Sequence, residues 1–557
     1  MPSSPRTDAR RPRRRALTFF ATTLALALSV LVAVSCGTST TPAPVPTPGA
    51  SPGASPGATM PVPTPGGTPT PSTSPAASPG ATPGAVDPRV GFTYPDPADH
   101  SALTWTDAFT AATDKLSREY AFGDWKGIDW AGLHDRFLPS IEQAEAAGDE
   151  AAYYLALHEY VASIPDGHVS LAAEDAAVPT ALGKELAGGG YGVAVAELDD
   201  GRVVAAAVIP GGPADEAGIV AGAEIVSWGG LPAATAIERI DPGAVPYKAL
   251  TGAAGGESSI ATLEARRLEQ ARLVARGPIG SRAEVAFTNP GSASPRTATL
   301  TAVDDSGRTF SLVDFAARPE LSDKVDHRIL PDGYGYVLVR MEHDMAAPDG
   351  YPTRIYEEFQ KAIASFVAAG VPGVIVDLRG NYGGSDQLAA DMCGFFYPSP
   401  AFYEAQEYYD RRTGEFIRLT VAEHGPDLIV DHLSIEPQTP HYGGPVVALV
   451  NPNTKSSGEG PAACISRLPN GSVIGFHGTS GSFGMVGGSI AMPGGYSIDY
   501  PFGRSLDEAG VIQLDSRNGV GGVAPDPRVP MSLEDVLAFA AGTDVELQFA
   551  IDYLRGR

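Results

Sequence analysis

The chain has 557 residues, length for roughly three domains, and its 39 Lys and Arg against 65 Asp and Glu give a formal charge of −26. A body that acidic argues against nucleic acid or anionic lipid as its ligand. The composition is globular but rich in Gly and Pro, and its three cysteines form no Cys-x-x-Cys, nor is there a His-Glu-x-x-His, so neither a metal site nor a cofactor is expected.

The first 36 residues run from Arg10-Arg11-Pro12-Arg13-Arg14-Arg15 through an uncharged apolar stretch, Ala16 to Val34, to Ser35-Cys36-Gly37. Basic, then apolar, then small is the order of an export signal, by the general or the twin-arginine route. The alternative, a transmembrane anchor of about 19 residues, fits less well with a run rich in Ala, Thr and Ser that ends at a small residue and a cysteine. Ala33-Val34-Ser35-Cys36 resembles a bacterial lipoprotein cleavage box, with Ala33 where Leu is usual. That resemblance implies a mature chain starting at Cys36, with either a lipid anchor there or release as a secreted protein. Residues 37–90 are Pro, Thr, Ser, Gly and Ala with almost no charge or large apolar side chain. They cannot bury enough surface to offset ordering entropy and read as a disordered tether.

Residues 91–180 read as a helical cap. Trp105 to Glu119 and Ser140 to Ser163 carry apolar residues at helical spacing, the second broken at Gly148-Asp149, a stop followed by an N-cap. The block ends in Ile164-Pro165-Asp166-Gly167-His168-Val169-Ser170, where Pro and Asp-Gly place His168 on a rigid turn at the start of an alternating segment. In residues 181–308, Val193 and its neighbours alternate as a strand, Asp199-Asp200-Gly201 is a hairpin turn, and Val203 to Ile209 is the return strand. Gly190-Tyr191-Gly192-Val193, Pro213-Ala214-Asp215-Glu216-Ala217-Gly218 and Gly222-Ala223-Glu224-Ile225 together resemble a PDZ domain. That resemblance implies that the amides of Gly190, Tyr191, Gly192 and Val193 take a peptide's terminal carboxylate while the peptide adds as a strand.

Residues 309–557 alternate strands and helices, an α/β pattern. Gly373 to Leu378 is an apolar strand leading into Asp377-Leu378-Arg379-Gly380-Asn381-Tyr382-Gly383-Gly384, and Pro445 to Val450 is another leading into Asn451-Pro452-Asn453-Thr454-Lys455-Ser456-Ser457-Gly458-Glu459. A serine at a strand-turn-helix junction suits an activated nucleophile, because free N–H groups and the helix dipole stabilise a nascent oxyanion. A phosphate loop is the competing reading of the glycine turn, but no Gly-Lys-Ser/Thr follows.

These two motifs, and the order cap, PDZ-like domain, catalytic domain, resemble the tail-specific or C-terminal processing peptidases, nearer the tricorn-like branch, over about residues 98 to 557. The resemblance implies a multidomain α/β fold with a helical cap, a PDZ-like β domain and a catalytic domain of the ClpP/crotonase-like type. It also implies Ser456 as nucleophile and an oxyanion hole from Ser457, Gly383 and Gly384. The lysine base of the C-terminal processing members is missing, since no lysine follows Lys455. The tricorn-like branch instead takes a histidine from the helical region, which points to His168, with His477 competing because it lies only 21 residues after Ser456. The glutamate that orients the histidine in that branch falls on Gly519, three residues before Gly522-Val523-Ala524-Pro525-Asp526. Asp515 or Asn518 are the substitutes, and Asp515 is the one advanced. Cys393 and Cys464 fall in predicted helices beside one sheet, and whether they pair stays open.

The function expected from this is an exported serine endopeptidase that cleaves polypeptides through an acyl-enzyme, with a PDZ-like domain reading peptide ends or extended segments. The alternative is a member whose catalytic domain has lapsed, leaving a peptide-binding module.

Overall fold

Runs such as Val374-Ile375-Val376 and Val446-Val447-Ala448-Leu449 are apolar at nearly every position, as strands covered on both faces must be. A computed structural model describes residues 95–247, 257–317, 324–343, 351–419, 421–422 and 429–557; the export signal, Cys36 and the tether expected at 37–90 lie outside the described residues. Residues 81–557 form one compact unit. Within it a five-stranded sheet runs in the order Val325–Ile329, Gly335–Val339, Val374–Asp377, Val446–Leu449, Gly471–Ile474. The first pair is antiparallel and the rest parallel, with Leu338 opposite Asp377 and Asp377 opposite Leu449. Parallel neighbours end on the same side, so the glycine turn after Asp377 and the serine turn after Leu449 emerge together at the carboxyl edge, where α/β sheets place their sites. Helix Thr353–Ala369 covers the sheet with Ile355, Phe359, Ala362, Ile363 and Phe366 buried.

A second sheet joins the front of the chain to its C-terminal half. Its long strand Tyr496–Leu506 pairs with Met485–Met492, with Ala401–Asp410 and with Ser170–Ala173, Ser170 lying opposite Asp499. The cap helices Trp105–Glu119, Trp130–Ala147 and Glu150–Ala162 pack on that sheet: Phe109, Tyr153 and Tyr160 share one buried cluster with Tyr496, Ile498 and Tyr500. The expected break occurs at Gly148 (φ 61°), and Asp149 accepts from the amide of Ala152 to cap the next helix. The middle helix begins earlier than the sequence pattern predicts and runs through Pro139. Burial of Phe137, Ile141 and Ala144 outweighs the local cost of the proline.

The central segment holds a six-stranded sheet that includes the expected hairpin, Val193–Glu197 with Val203–Val208, turned at Gly201 (φ 83°). An unforeseen helix, Leu263–Val274, lies along Val193–Glu197. Gly190 pairs with both Val303 and Arg276 in a separate three-stranded strip.

The end of the Val374–Asp377 strand is fixed by charge. Arg379, 6% exposed, binds Asp377 (Nε to Oδ1, 3.0 Å), Asp544 (Nη1 to Oδ1, 2.7 Å) and Glu546 (Nη1 to Oε2, 3.0 Å), while Tyr336 donates to Asp377 Oδ2 at 2.8 Å. Glu546 also accepts from the Phe476 amide, so helix Val545–Arg555 is tied to two strand ends at once. Removing the one cation leaves buried carboxylates unpaired. Arg379→Ala is expected to lower stability by about 3–5 kcal/mol, read as a lower urea midpoint at unchanged m value.

Candidate active site

Ser456 and Ser457 are adjacent but differ in every physical respect. Ser456 sits at φ 58°, the left-handed region that a non-glycine residue enters only when its surroundings hold it there. It is half-buried, and among the described residues no partner takes its hydroxyl. Ser457 is 2% exposed and its hydroxyl is committed to Asp386 Oδ1 (2.7 Å) and Gly384 O (3.1 Å). The backbone of Ser456 is clamped from both sides: its N–H donates to Ser482 O at 2.9 Å, and the Lys455 N–H before it donates to Asn381 O at 2.9 Å. This is a strained elbow between strand and helix, with the strain at the residue whose side chain is presented.

The glycine turn reaches the elbow directly. A Cβ on Gly383 (φ 86°) would lie 2.6 Å from Ser456 Cβ and 2.7 Å from Ser457 N, so only glycine fits. Asn381 organises the contact. Fully buried, it donates through Nδ2 to Val339 O and Glu342 Oε1, and its Oδ1 accepts from the Gly383 amide at 2.8 Å. The Gly383 N–H is therefore spent. Among the described residues no acceptor takes the N–H of Ser457 or of Gly384, so these two are the donors left for an oxyanion. Asn451 and Thr454 knit the same two turns together, Asn451 Oδ1 accepting from Gly380 N and Thr454 Oγ1 donating to Leu378 O.

The turn carrying His168 docks on the elbow. The Gly167 N–H donates to Ser482 Oγ (2.8 Å) and its carbonyl accepts from Lys455 Nζ (3.2 Å), so one residue touches both segments that hold Ser456. His168 is buried, with Nδ1 3.7 Å from Asp166 Oδ1 and no hydrogen bond at Nδ1. Asp166, fully buried, accepts from the His168 amide (2.9 Å) and from Tyr120 Oη (2.8 Å). Burial pushes the imidazole down to about 4, against the opposing pull of Asp166 and with help from Lys455 and Lys126. Glu459 supports this arrangement from below: its carboxyl takes the amides of Gly481 (3.1 Å) and Ser482 (2.9 Å) and the Thr479 hydroxyl, and burial pushes it up to about 8.

Asp515 does not reach His168. Its carboxylate lies 2.6 Å from Lys126 Nζ and accepts from the Phe483 amide at 2.8 Å, and Lys126 in turn donates to Pro165 O. It braces the histidine's turn through a lysine, and Asp166 is the carboxylate beside the ring. Asn518 (φ 54°) is exposed, and Gly519 faces Leu263, at the start of the central helix, so neither replaces the glutamate. His477 is drawn elsewhere: Nδ1 contacts Glu264 Oε1 at 3.1 Å, and the ring lines a cavity of about 240 Å³ between the central domain and the C-terminal half. Val195, Glu197, Leu268, Val313 and Phe315 line it as well.

The Gly190–Val193 loop is entirely buried. Tyr191 N–H donates to Ala275 O (3.4 Å), Tyr191 Oη pairs with Ser281, and Gly192 O accepts from Ile209 N. One amide of the four, that of Tyr191, is therefore already committed, at a loop with no exposed residue. The open space lies farther along, between Val193–Glu197 and Leu263–Val274, where Arg267 binds Glu197 through two bonds of 2.6 and 2.9 Å. Cys393 and Cys464 are both free thiols, buried together in one cluster between helices Asp386–Gly394 and Glu459–Ser466.

Of the residues that matter, sequence reasoning missed Asp166 as a carboxylate, Lys126, Asn381 and Glu459. Asp166 carried a readable signal, an acid two residues before the histidine on a rigid turn. Lys126 carried none.

Residues 335–529 match peptidase family S41. Mature CPAF is similar in fold, with a TM-score of 0.52 at 14% identity over 82% of this chain and 98% of that chain. CPAF complexed with lactacystin gives 0.51 at 13% identity, over 82% and 99%. The photosystem II D1 C-terminal processing protease is matched at 19% identity over 80% of this chain and 99% of that chain, with a TM-score of 0.33. No curated protein matches the chain.

The contact at Gly383 is sharp enough to test. Gly383→Ala is expected to reduce kcat/KM at least about 100-fold, since a methyl group there displaces the nucleophile and the adjacent donor. The clash is confined to the elbow, so circular dichroism should stay that of wild type, while the strain of a Cβ at φ 86° lowers the unfolding midpoint.

Proposed function

We propose that this chain, a serine-type peptidase of the tail-specific superfamily, is an exported endopeptidase whose Ser456 attacks a peptide carbonyl with His168 as general base. Its substrates are polypeptides. The observation that carries the reading is the docking of Gly167 on Ser482 and Lys455, which brings a neutral, buried histidine from the cap onto the strained turn of the nucleophile. In the proposed step Ser456 Oγ adds to the carbonyl carbon, its proton passes to the imidazole, and the oxyanion meets the amides of Ser457 and Gly384. Collapse of this intermediate expels the amine, which takes the proton back from His168, and water then hydrolyses the acyl-enzyme by the same route. Asp166 beside Nδ1 orients the ring and compensates the imidazolium formed in the transition state.

The lapsed alternative is disfavoured by the same geometry, because strain at Ser456, two unspent donors and a placed imidazole are costly features for a module that only binds. The cleft between Val193–Glu197 and Leu263–Val274 suits an extended segment added beside a strand. The commitment of the Tyr191 amide weighs against capture of a terminal carboxylate. Titration of the full chain with matched peptides, free acid against amide, distinguishes the two, and equal affinity is expected. Export through residues 1–36 remains part of the proposal, with Cys36 as the anchoring or first residue. Intact Met1–Cys36 in a soluble cytoplasmic pool, found by mass spectrometry, would overturn it.

His168→Ala and Ser456→Ala are each expected to abolish cleavage of an unfolded protein substrate and fluorophosphonate labelling, a general base being worth roughly 10² to 10⁴ in rate. His477→Ala should reduce kcat/KM only modestly, because that ring lines the cavity and pairs with Glu264. Wild-type labelling in the His168 variant sinks the assignment.

The depressed affinity of His168 for protons also sets a pH window. A base that protonates only near 4 keeps its lone pair throughout the neutral and mildly acidic range, so the acid limb of kcat/KM should fall near 4 rather than near the ordinary 6.5. In stability the sign is the reverse of a salt-bridged histidine. The unfolded chain takes the proton at about 6.5 and the native one only at about 4, so stability declines as pH falls through that interval, by up to about 3 kcal/mol. Urea midpoints of wild type and His168→Gln at pH 7 and pH 4.5 should diverge by this contribution.

A further inference from the structure

Beside the elbow lies a group of buried acids that the proposed chemistry does not use. Asp386 opens helix Asp386–Gly394, immediately after the glycine turn, and its Oδ1 accepts the Ser457 hydroxyl at 2.7 Å. Glu404, on strand Ala401–Asp410, is fully buried and shares a hydrogen bond with Asp386. Gln406 Nε2 reaches Glu404 Oε1 at 2.5 Å and Asp386 Oδ2 at 3.4 Å, and Ser505 donates to Glu404 Oε2 at 2.5 Å. The other titratable groups facing this pair are Glu342, whose Oε2 has no partner, and Tyr403, whose hydroxyl likewise has none. No cation is among the described groups that perturb either acid.

We infer that the Ser457 hydroxyl, held by Asp386, is a clamp that fixes the spacing of the two oxyanion donors. The geometry is direct. The donors are the N–H of Ser457 and the N–H of Gly384, and they sit on two turns that follow different strands. The Ser457 hydroxyl bridges those turns: its one proton goes to Asp386 Oδ1 at 2.7 Å, with Gly384 O beside it at 3.1 Å as the minor acceptor of a bifurcated bond. Two carboxyl groups in hydrogen-bond contact without a cation retain one proton between them. Burial raises both acids, and of the two it is Asp386 whose Oδ1 accepts from Ser457, while the Glu404 oxygens accept from Gln406 and Ser505. The Ser457 side chain and Asp386 thus act by positioning: neither touches a reacting atom, and together they set how well two fixed dipoles, one of them the Ser457 N–H itself, converge on the developing charge.

This inference rests on the reading of Ser456 as nucleophile, and the test separates the two. In the full mature chain, Ser457→Ala keeps the backbone donor and removes only the bridge. Its kcat is expected to fall about tenfold with KM within about twofold of wild type, and Ser457→Thr to restore most of the loss. A peptide aldehyde, whose adduct with a serine carries the oxyanion, should bind Ser457→Ala more weakly by the same factor as kcat/KM falls. Asp386→Ala should match Ser457→Ala, and the double variant should be no worse than either, because both remove one bridge. Asp386→Asn keeps an acceptor for Ser457 and a donor for Glu404, so it should stay within about threefold of wild type, which also controls for misfolding of the alanine variant. Wild-type kcat and aldehyde affinity in Ser457→Ala, or additive losses in the double variant, would overturn the clamp while leaving the nucleophile intact. Activity retained in Ser456→Ala would instead remove the reading beneath it.

Discussion

Everything in the site depends on one close approach, that of Gly167 to the segments on either side of Ser456. A side chain there would put a Cβ 3.0 Å from both Ser480 Oγ and Ser482 Oγ and 3.3 Å from Lys455 Cδ. Without one, the backbone comes near enough for its N–H to reach Ser482 and its carbonyl to reach Lys455. That docks the turn of a histidine nearly 300 positions earlier in the chain against the segments on either side of Ser456. The approach is held from behind by strand Ser170–Ala173 in the sheet of Tyr496–Leu506, and from above by Lys126, which spans Pro165 O, Ser516 and Asp515. Cap and catalytic half therefore share one core, and the site lies along their seam.

The electrostatics of this seam are unusual for so acidic a chain. Asp166, Glu342, Glu404, Glu459 and Asp515 are buried and Asp386 is half-buried, on the segments that surround Ser456 and His168. Each is handled differently. Asp515 faces a lysine, Asp166 accepts from a tyrosine and an amide, Glu459 takes two amides and a hydroxyl, and Asp386 and Glu404 share a proton. The result is that negative charge near the oxyanion position is kept low, because burial favours the protonated form wherever no donor or cation compensates.

A dry histidine follows from the same burial. Its ring is stripped of water more effectively than Asp166 at 3.7 Å can compensate, so it rests neutral. In the proposed reaction so weak a base is helped when it takes a proton, because Asp166 then faces a full positive charge in a low-dielectric setting.

The sequence alone carried the strands, the turns and their order, because strand periodicity, Asp-Gly and Gly-Gly signals and N-caps are local. It carried Ser456 and the glycine turn as well, since both belong to contiguous motifs, and it favoured His168 over His477 on the turn that holds it. It does not carry which carboxylate stands beside that histidine: the family pattern falls on Gly519, with Asp515 or Asn518 as substitutes, whereas Asp166 stands beside the ring and Asp515 belongs to Lys126. Nor could it show that the Gly383 amide is spent on Asn381, that the Gly190–Val193 loop is buried with its Tyr191 amide on Ala275, or that Ser457 bridges to Asp386. Each of these is decided by which groups from remote segments compete for one hydrogen bond, and that competition exists only once the chain has folded and the cap strand has joined the second sheet.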